Sequence, residues 1–248
     1  MGSFFADLLS FDHDVAIYDY DPTRLRFTYN VRRFLTLDEA SDFDPDMVLN
    51  AATVKYTIAA FEAVLPHIRP DAMLSDIASV KRGLPEFYAR AGHPYVSTHP
   101  MFGPTFASLA NLADENAIII SEGDPEGIRF FDDLYSRLGL HIERYTFSGH
   151  DATIAYSLSI PFASSLVFGA CMKHQPAPGT TFKRHMAIAK GLMSEDDYLL
   201  SEILFNPDSV EQLDRICASL ASLRHIVASH DSEAMAAYLA TVRQNIKK

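Results

Sequence analysis

The sequence predicts an α/β domain built on a parallel sheet, followed by an all-helical domain. Short apolar segments alternate with helical stretches along residues 1–148, which is typical of a parallel sheet. From residue 149 onward, apolar residues recur at helical spacing and no strand signal of comparable quality returns. A chain of 248 residues is long enough for one large domain or two modest domains.

The strands and helices of the first domain are predicted in regular alternation. Apolar segments predict strands at residues 15–18, 47–50, 73–77, 95–98, 117–121 and 141–145. Apolar residues three and four apart predict helices at residues 56–67, 84–91 and 126–138. Polar clusters follow several of these strands, and open α/β sheets bind ligands beyond the carboxyl ends of their strands. We therefore expect a cleft at that edge.

The second domain is predicted from helix periodicity and helix starts. One long helix is indicated by apolar residues four apart, namely Ile154, Leu158, Phe162, Leu166 and Ala170. Pro161 is the expected position of any kink in it. Asn206 as a cap and Pro207 in the first turn predict the start of another helix. The acidic cluster at residues 194–197 predicts a further helix start.

Composition excludes several classes of partner. A formal net charge of −11 disfavours nucleic-acid binding, because such proteins usually present a basic surface. The two cysteines, Cys171 and Cys217, suggest no metal site or disulfide framework, which is consistent with a reducing cytoplasm. The longest apolar stretch, residues 160–172, is shorter than the ~18 residues of a membrane span. The N-terminus carries no basic segment typical of a secretory signal. We expect a cytoplasmic protein with no metal, nucleic-acid or membrane partner.

The first residues predict part of a dinucleotide-binding site. Residues 1–9, with Gly2, are similar to the last glycine and first helix of a dinucleotide fingerprint, and Asp19 follows the strand at residues 15–18. An acidic side chain there would hydrogen-bond the adenosine ribose and repel a 2′-phosphate, which favours NAD over NADP. Ala51, Ala52 and Thr53 follow the next strand at the same edge. The first strand and two further glycines of the fingerprint are missing, so Gly2 as a plain terminal residue and Asp19 as a turn residue stay open.

Two segments carry the most specific signal. They are residues 76–81, Asp-Ile-Ala-Ser-Val-Lys, and residues 99–104, His-Pro-Met-Phe-Gly-Pro. Because a proline follows His99 and Gly-Pro ends the segment, we expect the imidazole on a loop after the strand at residues 95–98.

Together the two segments resemble the prephenate dehydrogenase family, which includes arogenate and cyclohexadienyl dehydrogenases, and the likeness covers nearly the whole chain. The resemblance implies a Rossmann-type dinucleotide-binding domain at residues 1–148 and a helical substrate and dimerisation domain at residues 149–248, forming a homodimer. It also implies NAD(P)-dependent oxidative decarboxylation of prephenate to 4-hydroxyphenylpyruvate in tyrosine biosynthesis, a branch of aromatic amino acid biosynthesis.

The implied reaction suggests roles for three side chains. Oxidation of the ring hydroxyl needs a base, and His99 titrates in a suitable range. Ser79 would hydrogen-bond the same hydroxyl or orient the imidazole, although a serine here also suits the cap of a helix starting near Val80. The resemblance places Lys81 at the edge of the substrate pocket, as a cation for a substrate carboxylate. A solvated surface lysine is the alternative.

The second substrate carboxylate needs a cation from the helical domain. The resemblance implies an arginine within residues 182–186, where this chain has Lys183 at the usual position and Arg184 one residue later. We favour Arg184, then Lys183, and an exposed helix face is the alternative for both. His150 and Asp151 are expected to begin the long helix without a chemical role. Ser159 stands in the region where some members carry a further histidine.

Three other functions stay open. The substrate is alternatively arogenate. A cofactor-deficient relative that binds a small acid or a partner without turnover would account for the missing strand and glycines. Another hydroxyacid dehydrogenase of similar architecture is a weaker alternative, because such enzymes are not expected to carry His-Pro-Met-Phe-Gly-Pro.

Overall fold

The computed structural model describes residues 1–27, 31–103 and 112–247. Pro104, the last residue of the 99–104 segment, lies outside the described residues. The chain divides into two compact units, residues 1–151 and 152–248.

A five-stranded sheet forms the centre of the first unit. Its strands are adjacent in chain order: β3 (Met47–Asn50), β4 (Met73–Asp76), β5 (Tyr95–Pro100), β6 (Asn116–Ile120) and β7 (His141–Tyr145). The pairs β3–β4, β4–β5 and β6–β7 are parallel, whereas β5–β6 is antiparallel. Two shorter strands, β1 (Ala16–Ile17) and β2 (Arg32–Arg33), form a separate parallel pair. The predicted α/β class is confirmed, with one antiparallel pair that the sequence pattern did not indicate.

The helices of the first unit alternate with the strands. They are α1 (Gly2–Leu9), α2 (Glu39–Phe43), α3 (Thr57–Val64), α4 (Leu84–Ala91) and α5 (Pro125–Arg137), with short 3₁₀ turns at Pro22–Phe27, Val54–Tyr56 and Leu65–His67. Local signals explain their starts. The side chain of Asp124 accepts a hydrogen bond from the backbone N–H of Glu126, and Pro125 occupies the first turn of α5.

The sheet lies between two apolar layers. Side chains alternate along a strand, so neighbouring residues of β6 enter different layers. Ile119 packs with Phe5, Val96 and Phe131, while Ile118 packs with Phe61, Leu74 and Phe87 on the other side. This two-sided burial explains why β6 consists almost entirely of apolar residues.

In the second unit, the elements that the structure describes are helices. The helix α6 (Phe147–Cys171) begins in the first unit and is followed by α7 (Thr180–Leu192), α8 (Asp197–Leu204), α9 (Ser209–Ser229) and α10 (Ser232–Ile246). The side chain of Asp196 accepts hydrogen bonds from the N–H groups of Tyr198 and Leu199, as expected for the acidic cluster. The predicted start of α9 at Pro207 is wrong, because the Asn206 side chain instead accepts from the N–H of Asp208 in the preceding turn.

The helix α6 differs from its sequence prediction in two respects. Its buried positions are Phe147, His150, Ile154, Ala155, Ser159 and Ala163, whereas Ala170 of the predicted apolar row is exposed. Apolar residues occupy all sides of this helix, so spacing alone could not select the buried face. Its mean hydropathy of 1.5 makes it long and apolar enough to cross a membrane by length and composition, with 22% of the 18-residue window buried. That is weak support for a membrane span, because a core helix of a soluble protein passes the same test.

Candidate active site

Strand β5 carries His99 at its end, so the prediction that His99 lies on a loop is wrong. Thr98, His99 and Pro100 pair with Ile119, Ile118 and Ala117 of the antiparallel strand β6. The expectation rested on Pro100 and Gly103, which do not reveal that a neighbouring strand extends the pairing. Asp76, the last residue of β4, lies opposite Ser97, so His99 lies two residues beyond the end of β4 along the sheet. This is the edge at which α/β sheets bind ligands.

A chain of three polar side chains runs from His99 into the start of α6. The Nδ1 of His99 lies 3.0 Å from the Nε2 of His150, and the Nδ1 of His150 lies 3.1 Å from a carboxylate oxygen of Asp151. His99 is 7% exposed and His150 is fully buried. His150 and Asp151 lie near the start of α6, as expected, and both also belong to the hydrogen-bond chain that ends at His99, which the sequence did not indicate.

The hydrogen-bond chain determines where the protons sit. Burial holds the pKa of His99 well below its usual range, and the neighbouring His150 and Lys81 lower it further. Burial also lowers the pKa of His150, against the opposing effect of Asp151. A carboxylate only accepts hydrogen bonds, so the Nδ1 of a neutral His150 carries the proton and its Nε2 accepts from the Nδ1–H of His99. The Nε2 of His99 is left as an unprotonated acceptor.

Lys81 forms one half of a fully buried ion pair. Its Nζ is 2.6 Å from a carboxylate oxygen of Asp76, and both side chains are 0% exposed. The same Nζ donates to the carbonyl oxygen of Thr98 at 2.6 Å. The alternative of a solvated surface lysine is wrong, because the ammonium group is enclosed and bonded to protein oxygens. The role of Lys81 as a cation for a substrate carboxylate stays a prediction.

Further side chains complete the hydrogen bonding of this buried pair. The second carboxylate oxygen of Asp76 accepts from the hydroxyl of Tyr88 at 2.6 Å, and the first also accepts from the N–H of Ala78 at 2.9 Å. The Thr98 hydroxyl lies 2.8 Å from that of Tyr135 and donates to the carbonyl of Asp76 at 3.3 Å. These hydrogen bonds link the end of β4 to the end of β5 next to His99.

Ser79 lies in a bend between β4 and α4 and is half-buried. It is not a helix cap, because α4 begins at Leu84 with Gly83 at the cap position. Within the described part of the chain, its hydroxyl makes no hydrogen bond. The role of Ser79 toward a substrate stays a prediction.

Two of the predicted cofactor-binding residues, Gly2 and Ala51, lie close together at the amino end of α1. A methyl group added at Gly2 would lie 3.3 Å from the Cβ of Ala51, so the backbone of α1 closely approaches the turn after β3. Ala51, Ala52 and Thr53 are exposed in this turn, which Asn50 holds by accepting from the N–H of Ala52 at 3.0 Å. Asp19 follows β1 and accepts from the N–H of Asp21 at 2.9 Å.

The predicted anchors of the helical domain lie on α7 in the second unit. Lys183 and Arg184 are both exposed, and neither forms an ion pair with a residue that the structure describes. Their charges are thus available to an anionic ligand. Whether either one binds substrate stays a prediction.

Comparison with known sequence families identifies the first unit. The family described as "Prephenate dehydrogenase, nucleotide-binding domain" matches residues 7–140, more than half of the chain. The chain belongs to the prephenate dehydrogenase family. The matched residues run from α1 to the loop before β7 and include Asp76, Ser79, Lys81 and His99.

Individual relatives are distant. The T-protein of Enterobacter agglomerans is 24% identical over 176 residues, covering 67% of this chain and 46% of the relative. A probable arogenate/prephenate dehydrogenase of Methanocaldococcus jannaschii is 23% identical over 204 residues, covering 76% of this chain and 45% of the relative. The chain thus spans less than half the length of these curated relatives. The crystal structure of prephenate dehydrogenase from Aquifex aeolicus, in complex with hydroxyphenyl propionate and NAD⁺, has a TM-score of 0.82 at 20% identity and covers 100% of this chain and 94% of that one.

Sequence reasoning missed three residues of this prephenate dehydrogenase-family site. His150 lies 51 positions after His99, so no local motif links them. Asp76 and Thr98 are in or next to the two specific segments, but their role depends on the pairing of β4 with β5. The Gly149-His150-Asp151 triplet at the start of a long apolar helix was the one available signal for His150.

Proposed function

We propose that this protein catalyses the NAD-dependent oxidative decarboxylation of prephenate to 4-hydroxyphenylpyruvate. The observation that carries the proposal is the Asp151–His150–His99 chain, which leaves an unprotonated Nε2 on His99 beyond the end of β4. Membership of the prephenate dehydrogenase family supports the reaction class. The names of the relatives support prephenate and arogenate as the two candidate substrates.

In the proposed reaction, His99 acts as a general base. Its Nε2 accepts the proton of the substrate ring hydroxyl while the hydrogen on the same carbon leaves as hydride. The ring carboxylate departs as carbon dioxide, its bonding electrons complete the aromatic ring, and the resulting phenolate oxygen takes the proton back from His99. The positive charge that develops on His99 is stabilised through His150 by the carboxylate of Asp151. No proton has to move from His99 to His150 or from His150 to Asp151. Ser79 would orient the substrate hydroxyl toward the imidazole.

The residues at the amino end of α1 fit a nicotinamide dinucleotide. A Cβ at Gly2 would pack tightly against Ala51, and the first-turn N–H groups of α1 have no side-chain cap. The Ala51–Thr53 turn would flank the same ligand, and Asp19 would accept from the adenosine ribose, favouring NAD over NADP. When bound, the nicotinamide supplies the hydride acceptor.

The helical unit would complete the enzyme in two ways. Arg184, with Lys183 as the second choice, would bind the carboxylate of the substrate side chain, since both are exposed cations in this acidic protein. The second unit also exposes large apolar side chains, namely Val167, Ile188, Phe205, Val210, Leu220 and Val227. We propose that they contribute to a homodimer interface.

Replacing His99 tests the role of the base. In His99→Asn, we expect kcat for prephenate to fall by about 10² to 10⁴, with a much smaller change in KM, because proton abstraction is lost while most substrate contacts stay. NADH formation is measured by absorbance with prephenate and with arogenate, and NADP is compared with NAD. The matched control is His141→Asn at the exposed start of β7, which should keep full activity.

Two outcomes would contradict the proposal. An unchanged kcat in His99→Asn removes His99 as the base. No turnover of either substrate by a folded wild-type chain that binds NAD removes the proposed reaction itself.

A further inference from the structure

We propose that the buried Asp76–Lys81 pair is a positioning device for His99, which holds the imidazole in place and keeps it unprotonated. Lys81 thus acts on the reaction through His99 and does not touch the substrate. The inference rests on the proposed function of His99 as the base, but part of its test is independent of turnover.

The geometry ties Lys81 to His99 through one residue. The ammonium group donates to the carbonyl oxygen of Thr98, which immediately precedes His99 in β5. The Thr98 hydroxyl is bonded to Tyr135 and to the backbone of Asp76, so the residue is held by its main chain and by its side chain. A movement of Lys81 would therefore be transmitted directly to the backbone of His99.

The burial of this ion pair calls for a reason other than stability. Transferring two charges from water into a protein interior costs several kcal/mol per ion, and well-packed apolar residues often serve equally well. Asp76 and Lys81 are both 0% exposed. Asp76 also accepts from Tyr88 and Ala78, so the fold satisfies the charges with an elaborate local network. A buried cation next to a base has a direct electrostatic use.

The charged groups around His99 come from three directions. His150 and Asp151 face it from α6, the Asp76–Lys81 pair lies behind it at the end of β4, and Tyr135 of α5 reaches Thr98. Lys81 lowers the pKa of both His99 and His150, while Asp76 and Asp151 raise that of His150. Lys81 therefore opposes the protonation of both imidazoles, whereas Asp151 promotes the protonation of His150.

The test is the double variant Asp76→Asn/Lys81→Met, which removes both charges without leaving one of them buried alone. We expect the acid limb of the kcat/KM–pH profile to move to higher pH by about half a unit or more, because His99 protonates more easily. The KM for prephenate at high pH should change less than about twofold, since no substrate contact is lost. The same shift should be visible without turnover, as a higher pKa of the His99 imidazole in an NMR titration, assigned with His99→Asn.

Tyr88→Phe is the matched control. It removes a hydrogen bond from the same carboxylate but leaves both charges, so it should lower the melting temperature without moving the acid limb. If the double variant does not fold, Asp76→Asn alone is used, because an unpaired buried lysine loses its proton and the acid limb should shift in the same direction.

The possible results separate the two proposals. A large rise in KM with an unmoved acid limb would make Lys81 a substrate ligand and overturn the inference. An unmoved His99 pKa in the NMR titration would overturn it as well. A shifted His99 pKa in a chain that turns over neither prephenate nor arogenate would support the positioning role and reject the proposed function.

Discussion

At the scale of single residues, two buried imidazoles are held neutral at the candidate active site. Burial is the main cause of the lowered pKa of both His99 and His150. Burial of an unprotonated histidine is compatible with a base that must accept a proton at neutral pH. It also makes the stability of the folded chain depend on pH.

We expect the free energy of unfolding to fall as the pH drops below about 6.5, the usual pKa of a histidine in an unfolded chain. The unfolded chain protonates His99 and His150 near pH ~6.5, whereas the folded chain protonates them only at lower pH. Their contribution to stability is therefore fully present above pH ~6.5 and is lost as the pH falls. The slope is at most about 1.4 kcal/mol per pH unit for each histidine. Urea unfolding at about pH 7.5, 6.5 and 5.5 measures how the free energy of unfolding changes with pH. In His99→Asn this free energy should fall less steeply as the pH drops. Equal slopes in the two proteins would contradict the neutral state of His99.

At the scale of elements, one glycine sets the distance between α5 and the sheet. A Cβ added at Gly127 would lie 2.5 Å from the Sδ of Met73 in β4 and 2.7 Å from a methyl carbon of Val96 in β5. These distances are far below normal packing contacts, so α5 can approach the sheet this closely only with glycine at position 127.

Replacing this glycine tests the packing. Gly127→Ala should destabilise the protein by about 1–3 kcal/mol, because α5 must move away from β4 and β5 or force off-rotamer side chains. Gly169→Ala in α6 is the matched control, since it meets open space and should be neutral or stabilising by up to about 1 kcal/mol. The urea midpoint of each variant provides the measurement. Equal midpoints for the two variants would show that α5 has room to adjust.

Element bounds were predictable where the chain carries local stop signals. The bounds of α4 match the prediction because Gly83 and Gly92 flank it. The bounds of β5 do not match, because Thr98 to Pro100 are strand only through pairing with β6, whose antiparallel direction no local signal shows. The predicted start of α9 is wrong for a related reason. Asn206 caps a turn that is not continued as helix.

At the scale of the whole molecule, the exposed apolar side chains of the helical unit predict a homodimer. The chain mass is 27.6 kDa, so sedimentation velocity should give about twice that value at micromolar concentration. Val167→Asp on α6, where Val167 is 54% exposed, should weaken the dimer because it places a charge on the apolar surface. Leu35→Asp, at a 75% exposed position in the first unit, is the control and should leave the mass unchanged.

Two results would contradict the dimer. One is a monomer that keeps the same mass over a tenfold range of concentration. The other is flotation of the purified chain with lipid vesicles, which would assign the apolar surface of α6 to a membrane.

The sequence by itself determined the α/β class, the helical second part and the family, because these depend on local periodicity and on two short segments, 76–81 and 99–104. It also pointed to His99. Only the tertiary structure decided how His99 is supported, since His150 comes from α6 and Lys81 turns inward to pair with Asp76. The physical reason is that a lysine in a loop after a strand is usually solvated, and its burial becomes affordable only when a carboxylate, a carbonyl and two strand ends converge on it.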